Sequence, residues 1–255
     1  MATGRGPVVI RPWRGRYAAG SVAVASRNEV WVAETGGPDD YAGAALRRWD
    51  GAAWRRVRKP AQLDSLDLVE DVAAADPGEV WGLSVYGQGY GELRVIHRDG
   101  SRWAMLPSPS PSVSLPQREP GWCENPSESA LYLRELASRA RNEVWSLARI
   151  ARCGNGPTVR EVVLHWNGTS WQEAKLPLDS TTQLTEIQAD KVGGVWIGAN
   201  PDHGQSYVLN FREGRWTRST LHRGRVGRIV SIPGATGLLV LAQEGKDTYL
   251  IYELK

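Results

Sequence analysis

Apolar runs of about four to eight residues, rich in Val, Ile, Leu and Trp, recur along the chain and are broken at short intervals by Gly, Pro, Asn and Asp. Runs of this kind, bounded by turn residues, predict β-strands. Two signatures return in step within the pattern. The first is a turn: Arg48-Trp49-Asp50-Gly51-Ala52-Ala53-Trp54, then Arg98-Asp99-Gly100-Ser101-Arg102-Trp103, then Trp166-Asn167-Gly168-Thr169-Ser170-Trp171 and, shortened, Phe211-Arg212-Glu213-Gly214-Arg215-Trp216. Asp-Gly or Asn-Gly between two apolar runs is a strong hairpin signal, because Gly and Asn accept the positive φ of a tight turn. Each copy therefore predicts a pair of antiparallel strands.

The second signature is Glu29-Val30-Trp31, Glu79-Val80-Trp81, Glu143-Val144-Trp145 and Gly194-Val195-Trp196, with Trp spacings of 50, 64 and 51 residues. The unit between them reads strand, short turn, Val-Trp strand, variable loop, strand, Gly turn, Trp-headed strand. A four-stranded unit recurring every ~40–50 residues is the blade of a β-propeller. The expected fold is all-β, a five-bladed propeller of four-stranded antiparallel blades in one domain spanning residues 1–255. Its blades fall at about 17–60, 65–109, 131–178, 183–222 and 225–254. The last unit supplies three strands, Arg225 to Ile232, Gly237 to Gln243 and Thr248 to Leu254. The segment Pro7-Val8-Val9-Ile10-Arg11-Pro12 matches the ends of the Trp-headed strands, Val57-Arg58-Lys59-Pro60 and Ala174-Lys175-Leu176-Pro177. Residues 7–12 are therefore expected to close the fifth blade and remove an open sheet edge.

On these turns and Val-Trp strands, nearly the whole chain resembles the repeat propellers. The Asp-Gly-x-x-Trp turn is similar to that of Asp-box propellers, and the length is similar to that of five-bladed lectins. The Ser-x-Asp-x-Gly run of a full Asp box and the Gly-His and Trp-Asp pairing of WD40 blades are both missing. The resemblance thus implies an architecture and leaves the activity to the residues themselves.

Loops sort by face. The turns between first and second strands are short (Ser26-Arg27-Asn28, Asp76-Pro77-Gly78, Arg139-Ala140-Arg141-Asn142), as are the Gly turns, so that face reads as structural. The other face collects the segments 35–43, 86–92, 151–159 and 200–205 and the long insertion 107–130. Loops that vary on a repeated scaffold are where function is carried. On this face Tyr41, Tyr86, Tyr90 and Trp122 lie outside the repeat and are candidates for stacking on a sugar or other planar ligand, with ordinary loop packing as the alternative. His203, in Asn200-Pro201-Asp202-His203, is a candidate base or a turn residue. Arg16, Arg225 and Arg228, with Arg14 and Arg223, gather where the last blade meets the first and form a candidate anion site. His97 and His165 share the repeat position of Arg48, which reads as a solvated face.

Aligning the first strands of the blades on their Val-Trp partners places Ser21, Asp71, Glu135, Glu186 and Arg228 at one height. Converging carboxylates raise one another's pKa, the arrangement used in acid and base catalysis. Five-bladed glycosidases use such a funnel, so Asp71, Glu135 and Glu186 are the catalytic candidates, with Arg228 holding an anion. The alternative is that these side chains line a wet channel and bind main-chain amides, or turn into the blade interfaces and pair there. No HExxH, CxxC pair, GxSxG or P-loop spacing occurs, so no metal or other cofactor is expected.

The net charge of +3 on 255 residues is mild and interleaved, which gives no reason to expect nucleic acid as a partner. No apolar run of about 20 residues exists, so no membrane partner is expected, and the first residues carry no apolar signal region. The chain as written reads as cytoplasmic, or secreted if a leader has been removed, and as a monomer. The bias toward Arg over Lys suits a GC-rich bacterial source. Cys123 and Cys153 fall on the same face in adjacent blades and are candidates for a disulfide that would staple the 107–130 insertion. The absence of an export signal argues for thiols instead. Two functions remain open. One is a binding propeller that recognises a small molecule, glycan or protein on the loop face and channel mouth. The other is an enzyme, a glycoside-processing hydrolase or lyase or a biosynthetic cyclase, working through the channel carboxylates. Carboxylates tied to main-chain amides would favour binding; carboxylates free in one pocket would favour catalysis.

Overall fold

The computed structural model of the chain describes residues 18–35, 45–58, 63, 67–86, 93–107, 129–152, 158–178, 181–190, 192–231 and 237–254. Among the described residues, nineteen strands lie in five antiparallel sheets. The first contains β1 (Ala18–Ser26), β2 (Glu29–Thr35), β3 (Leu46–Trp49) and β4 (Trp54–Val57). The second contains β5 (Asp67–Ala73), β6 (Glu79–Tyr86), β7 (Leu93–Asp99) and β8 (Arg102–Met105). The third contains β9 (Ser129–Ala140), β10 (Glu143–Arg152), β11 (Thr158–Trp166) and β12 (Trp171–Glu173), and the fourth β13 (Thr182–Ala189), β14 (Val195–Pro201), β15 (Tyr207–Arg212) and β16 (Arg215–Thr220). The fifth holds β17 (Arg225–Ser231), β18 (Leu238–Glu244) and β19 (Thr248–Leu254). Each sheet is ordered as its strands occur in the chain, so each is a meander of hairpins, and the five make a five-bladed β-propeller. The segment 7–12, expected as the last blade's fourth strand, lies outside the described residues.

The repeated turn forms as its composition dictates. Gly51, Gly100, Gly168 and Gly214 all adopt positive φ between the third and fourth strands of their blades. Asp50 Oδ1 accepts from the N–H groups of Ala52 and Ala53, and Asn167 Oδ1 from those of Thr169 and Ser170, so in the Gly51 and Gly168 turns the side chain before the glycine closes the turn.

The core lies between blades rather than within them. Trp31, Ala33 and Leu46 of blade one pack with Val72, Val80 and Ile96 of blade two. Corresponding clusters join blades two and three, three and four, and four and five. Each Val-Trp strand supplies the large ring: Trp31, Trp81, Trp145 and Trp196 are all buried. A sheet with two apolar faces has to be sandwiched, and the row of blades does this at the four junctions from blade one to blade five.

Gly198 shows how tight one of these junctions is. A Cβ there would meet Thr185 Oγ1 at 2.5 Å and Val226 Cγ1 of the next blade at 2.6 Å. The Gly198→Ala variant is expected to lose about 1–3 kcal/mol through overpacking, read as a lower midpoint of chemical denaturation at unchanged slope.

Candidate functional site

The first strands of successive blades, β1, β5, β9, β13 and β17, pack on one another around the axis. All five are irregular at the same level. One residue of the first strand is unpaired at Gly20, Glu70, Arg134 and Gly227, and in β13 Thr185 and Glu186 together stand opposite Gly198. A β-bulge bends its strand and re-aims the next side chain. Here it turns Ser21, Asp71, Glu135 and Glu186 toward the following blade.

What they reach is main chain. The Val72 N–H donates to Ser21 Oγ at 3.2 Å, and the Leu136 N–H to Asp71 Oδ2 at 2.6 Å. The Ile187 N–H donates to Glu135 Oε2 at 3.2 Å, and the Ile229 N–H to Glu186 Oε2 at 2.8 Å. In each case the donor follows the next blade's own belt residue, so the four bonds form a relay around the channel. Ser21 also donates its hydroxyl to Asp71. The structure therefore brings together the residues that the repeat places at one height, and each carboxylate has an oxygen bonded to a neighbouring amide.

The electrostatics follow from crowding in a confined space. Burial, then the Glu186 charge, push the Glu135 carboxyl up to about 7 from its ordinary 4.5, against the Ile187 N–H, which favours the charged form. Burial raises Asp71 and Glu186 as well, opposed at Asp71 by Ser21 and Leu136 and at Glu186 by the Ile229 N–H and Arg228. Glu70, at the bulge, is also raised, by burial and by Asp71. The arrangement can hold a proton near neutral pH at Glu135. Among the described residues no group of His, Cys, Asp and Glu side chains has the arrangement of a metal site.

Arg228 is exposed, and its Nη1 donates to Glu186 Oε1 at 3.3 Å, so its charge is already answered. Arg223 likewise pairs with Glu244 at 2.6 Å. Of the arginines that gather where the last blade meets the first, Arg223 and Arg228 are thus paired with acids of the same and the preceding blade. Arg225 begins β17 and is exposed, and His203 is exposed on the loop between β14 and β15. Tyr86 ends β6. Arg14, Arg16, Tyr41, Tyr90, Trp122, Cys123 and Cys153 lie outside the described residues, as do most of the long loops of that face, and among the described residues there is no disulfide.

The opposite face carries a second repeated network, in which the acids of two Glu-Val-Trp copies bond their own Trp, while in the remaining copy the Trp81 Nε1–H has no partner and Glu79 bonds His97. The Trp31 Nε1–H donates to Glu29 at 2.9 Å and the Trp145 Nε1–H to Glu143 at 3.4 Å. His97 stacks on Trp81 with ring centroids 4.0 Å apart and bonds Glu79 at 2.7 Å, and His165 stacks on Trp145 at 4.2 Å and bonds Glu143 at 3.1 Å. These histidines do not form a solvated face, as their alignment with Arg48 suggested: the flat imidazole covers the indole, and burial pulls His165 below its ordinary pKa. In blade four, Gly194 replaces the Glu, and buried Asp190 takes over. Its Oδ2 accepts from Trp196 Nε1 at 2.8 Å and Arg212 Nη2 at 2.5 Å, and its Oδ1 from the Gly194 N–H at 2.8 Å. Sequence reading passed over Asp190; the glycine where three repeats carry Glu was the available signal.

No family model matches this chain, and no curated protein matches it. Solved structures do. The structure of YCF48 bound to D1 peptide is 14% identical at a TM-score of 0.51, covering 99% of this chain and 71% of that one. The SapL1 lectin in complex with α-methyl fucoside is 13% identical at a TM-score of 0.52, covering 91% and 74%. One of two prolyl endopeptidases is 13% identical at 0.55, but this chain spans only 32% of it. At such identities the likeness is one of fold: the chain is a β-propeller.

Proposed function

We propose that this protein is a binding propeller that recognises a small molecule, glycan or protein through its loop-bearing face and channel mouth. The observation that carries this reading is the relay of main-chain bonds. Asp71, Glu135 and Glu186 each hold an amide of the next blade, so their first duty is to lock the ring. A locked ring is the rigid scaffold on which variable loops present a ligand surface. Structural neighbours that hold a peptide and a fucoside support binding as the kind of activity such a scaffold performs. The candidate contacts are Tyr41, Tyr86, Tyr90, Trp122, His203, Arg16 and Arg225, with aromatic rings offering stacking faces and the arginines offering charge.

The test is a glycan microarray and a peptide array probed with the whole chain, followed by titration of the best hit against Trp122→Ala and Tyr90→Ala. A loss of at least tenfold in affinity, about 1.4 kcal/mol, is expected in one or both variants. Unchanged affinity in both would remove the loop aromatics from the site.

One observation favours the enzyme reading. Glu135 is held at about 7 beside two other acids, where a carboxyl can both give and take a proton. Under that reading Glu135→Gln abolishes turnover of a glycoside substrate; under the binding reading it leaves affinity for the array hit within about twofold, on the order of 0.4 kcal/mol.

A further inference from the structure

On the face of short turns the repeat breaks at the junction of blades one and two. Strand pairing sets Trp49 opposite Val30, Trp166 opposite Val144 and Phe211 opposite Val195, but in blade two it sets Arg98 opposite Val80. The neighbouring position, paired with the Trp of each copy, holds His97, His165 and Asn210, but Arg48 in blade one. Both departures meet at one ring. Between blades three and four, Trp145 has His165 at 4.2 Å and Phe211 of the next blade at 5.0 Å. Between blades one and two, the guanidinium carbons of Arg48 and Arg98 take those places, 5.7 and 5.1 Å from the Trp31 centroid. The rest of the junction is kept: Trp103 meets Trp31 edge-on at 6.3 Å, as Trp216 meets Trp145 at 6.2 Å. An indole face attracts a cation but offers its N–H groups no conventional acceptor. Arg98 Nη1 is buried and has no hydrogen-bond partner among the described residues. Glu29 is already occupied, its Oε1 by the Trp31 indole and Arg48 Nε and its Oε2 by the Gly78 N–H. Asp50 and Asp99, in the flanking turns, pair with Arg55 and Arg141. Burial, then the charge of Arg48, hold the Arg98 guanidinium below the ordinary arginine value, against the pull of Glu29.

We propose that this junction is an oxoanion site: a carboxylate, phosphate or sulfate group of a small molecule accepts from Arg98 Nη1, with Arg48 as the second cation. Arginine has only donors, set in a planar fork that matches the oxygens of such groups, so an anion with several oxygens is the ligand that answers both side chains. Arg48 holds Glu29 through Nε and is 34% exposed, which leaves the rest of its guanidinium open to a ligand arriving from solvent. A structural stack of cations on Trp31 accounts for the ring contacts and leaves the Arg98 donor unanswered, at the cost of burying a polar group without a partner. An aromatic residue, as in the other blades, would fill the same place without that cost. The site lies on the face away from the long loops and is independent of the ligand proposed for them.

The test is calorimetric titration of the whole chain with inorganic phosphate, sulfate and acetate, all at one ionic strength held with sodium chloride. The titrations are repeated on Arg98→Trp, which installs the residue that blades one and three carry, on Arg98→Gln, which removes the charge with less change of volume, and on Arg48→His. A packing fault in one Arg98 variant leaves the other to decide. Arg56→Gln, which removes an exposed charge from the other face of the blade-one sheet, is the control. Saturable binding of at least one of the three anions is expected in the parent, and the tightest of them identifies the group. Loss of a charge-assisted bond should weaken that binding at least about tenfold in both Arg98 variants and by a smaller factor in Arg48→His. Arg56→Gln should stay within about twofold of the parent. Absence of saturable binding in the parent overturns the proposal, as does binding that a folded Arg98 variant keeps within about twofold. Weakening in Arg56→Gln equal to that in the Arg98 variants also overturns it, in favour of attraction by overall charge.

Discussion

Asp190→Ala is expected to be the most damaging single substitution away from the channel, at about 3–5 kcal/mol, because breaking a buried ion pair leaves uncompensated partners behind. The carboxylate is 1% exposed and answers four donors: the Val192 and Gly194 amides, the Trp196 indole and the Arg212 guanidinium. Urea denaturation with tryptophan fluorescence measures the loss directly, since Trp196 is one of the reporters. The same site offers a rescue. A Cβ on Gly194 would lie 2.6 Å from Asp190 Oδ2, so the side chain that blades one to three place there is excluded while the aspartate is present. With Asp190 already replaced, Gly194→Glu rebuilds the acid found in Glu29-Val30-Trp31 and should recover part of the stability; Gly194→Glu alone should destabilise.

Glu135→Gln is expected to raise stability at alkaline pH, the opposite of what a substitution in a packed channel usually does. The carboxyl rises from 4.5 in an ordinary setting to about 7 in the folded ring, so the native state binds a proton that the unfolded chain releases. Its contribution is therefore fully present below about pH 4.5 and is lost as pH rises through about 7. At about 1.4 kcal/mol per tenfold change in proton affinity, and with allowance for water in the channel, the loss by pH 8.5 is about 2–3 kcal/mol. Glutamine stays neutral and can still accept from the Ile187 N–H. Thermal scans should find the variant about 4–8 °C above the parent at pH 8.5 and close to it at pH 5.

The architecture was legible in the sequence because the ring repeats it. Trp31, Trp81, Trp145 and Trp196 mark the same buried strand in each blade, and Gly51, Gly100, Gly168 and Gly214 mark the same turn. The height shared by Ser21, Asp71, Glu135 and Glu186 could be aligned for the same reason. What those side chains do was not legible, because it depends on bulges at Gly20, Glu70, Arg134 and the Thr185–Glu186 pair. A single extra residue in one strand leaves no periodic trace, yet it decides whether a carboxylate faces open water or a neighbouring amide. His97 and His165 were misplaced for a related reason: a third-strand residue that looks polar in the pattern is covered, fully at His97 and partly at His165, once its ring lies flat on an indole. Asp190 was hidden because it acts from outside the repeat position that it replaces.

The channel carboxylates bind blade to blade, each through one main-chain amide. Residue-resolved hydrogen exchange in the Glu135→Ala variant tests this most directly, with the Leu136 and Ile229 amides of the same molecule as internal references. The loss of an acceptor for one buried N–H is worth about 1–3 kcal/mol, so the Ile187 amide should exchange at least tenfold faster than in the parent while the two reference amides hold their protection. Equal protection of all three amides in parent and variant would contradict the claim and return Glu135 to the channel as a group free for chemistry.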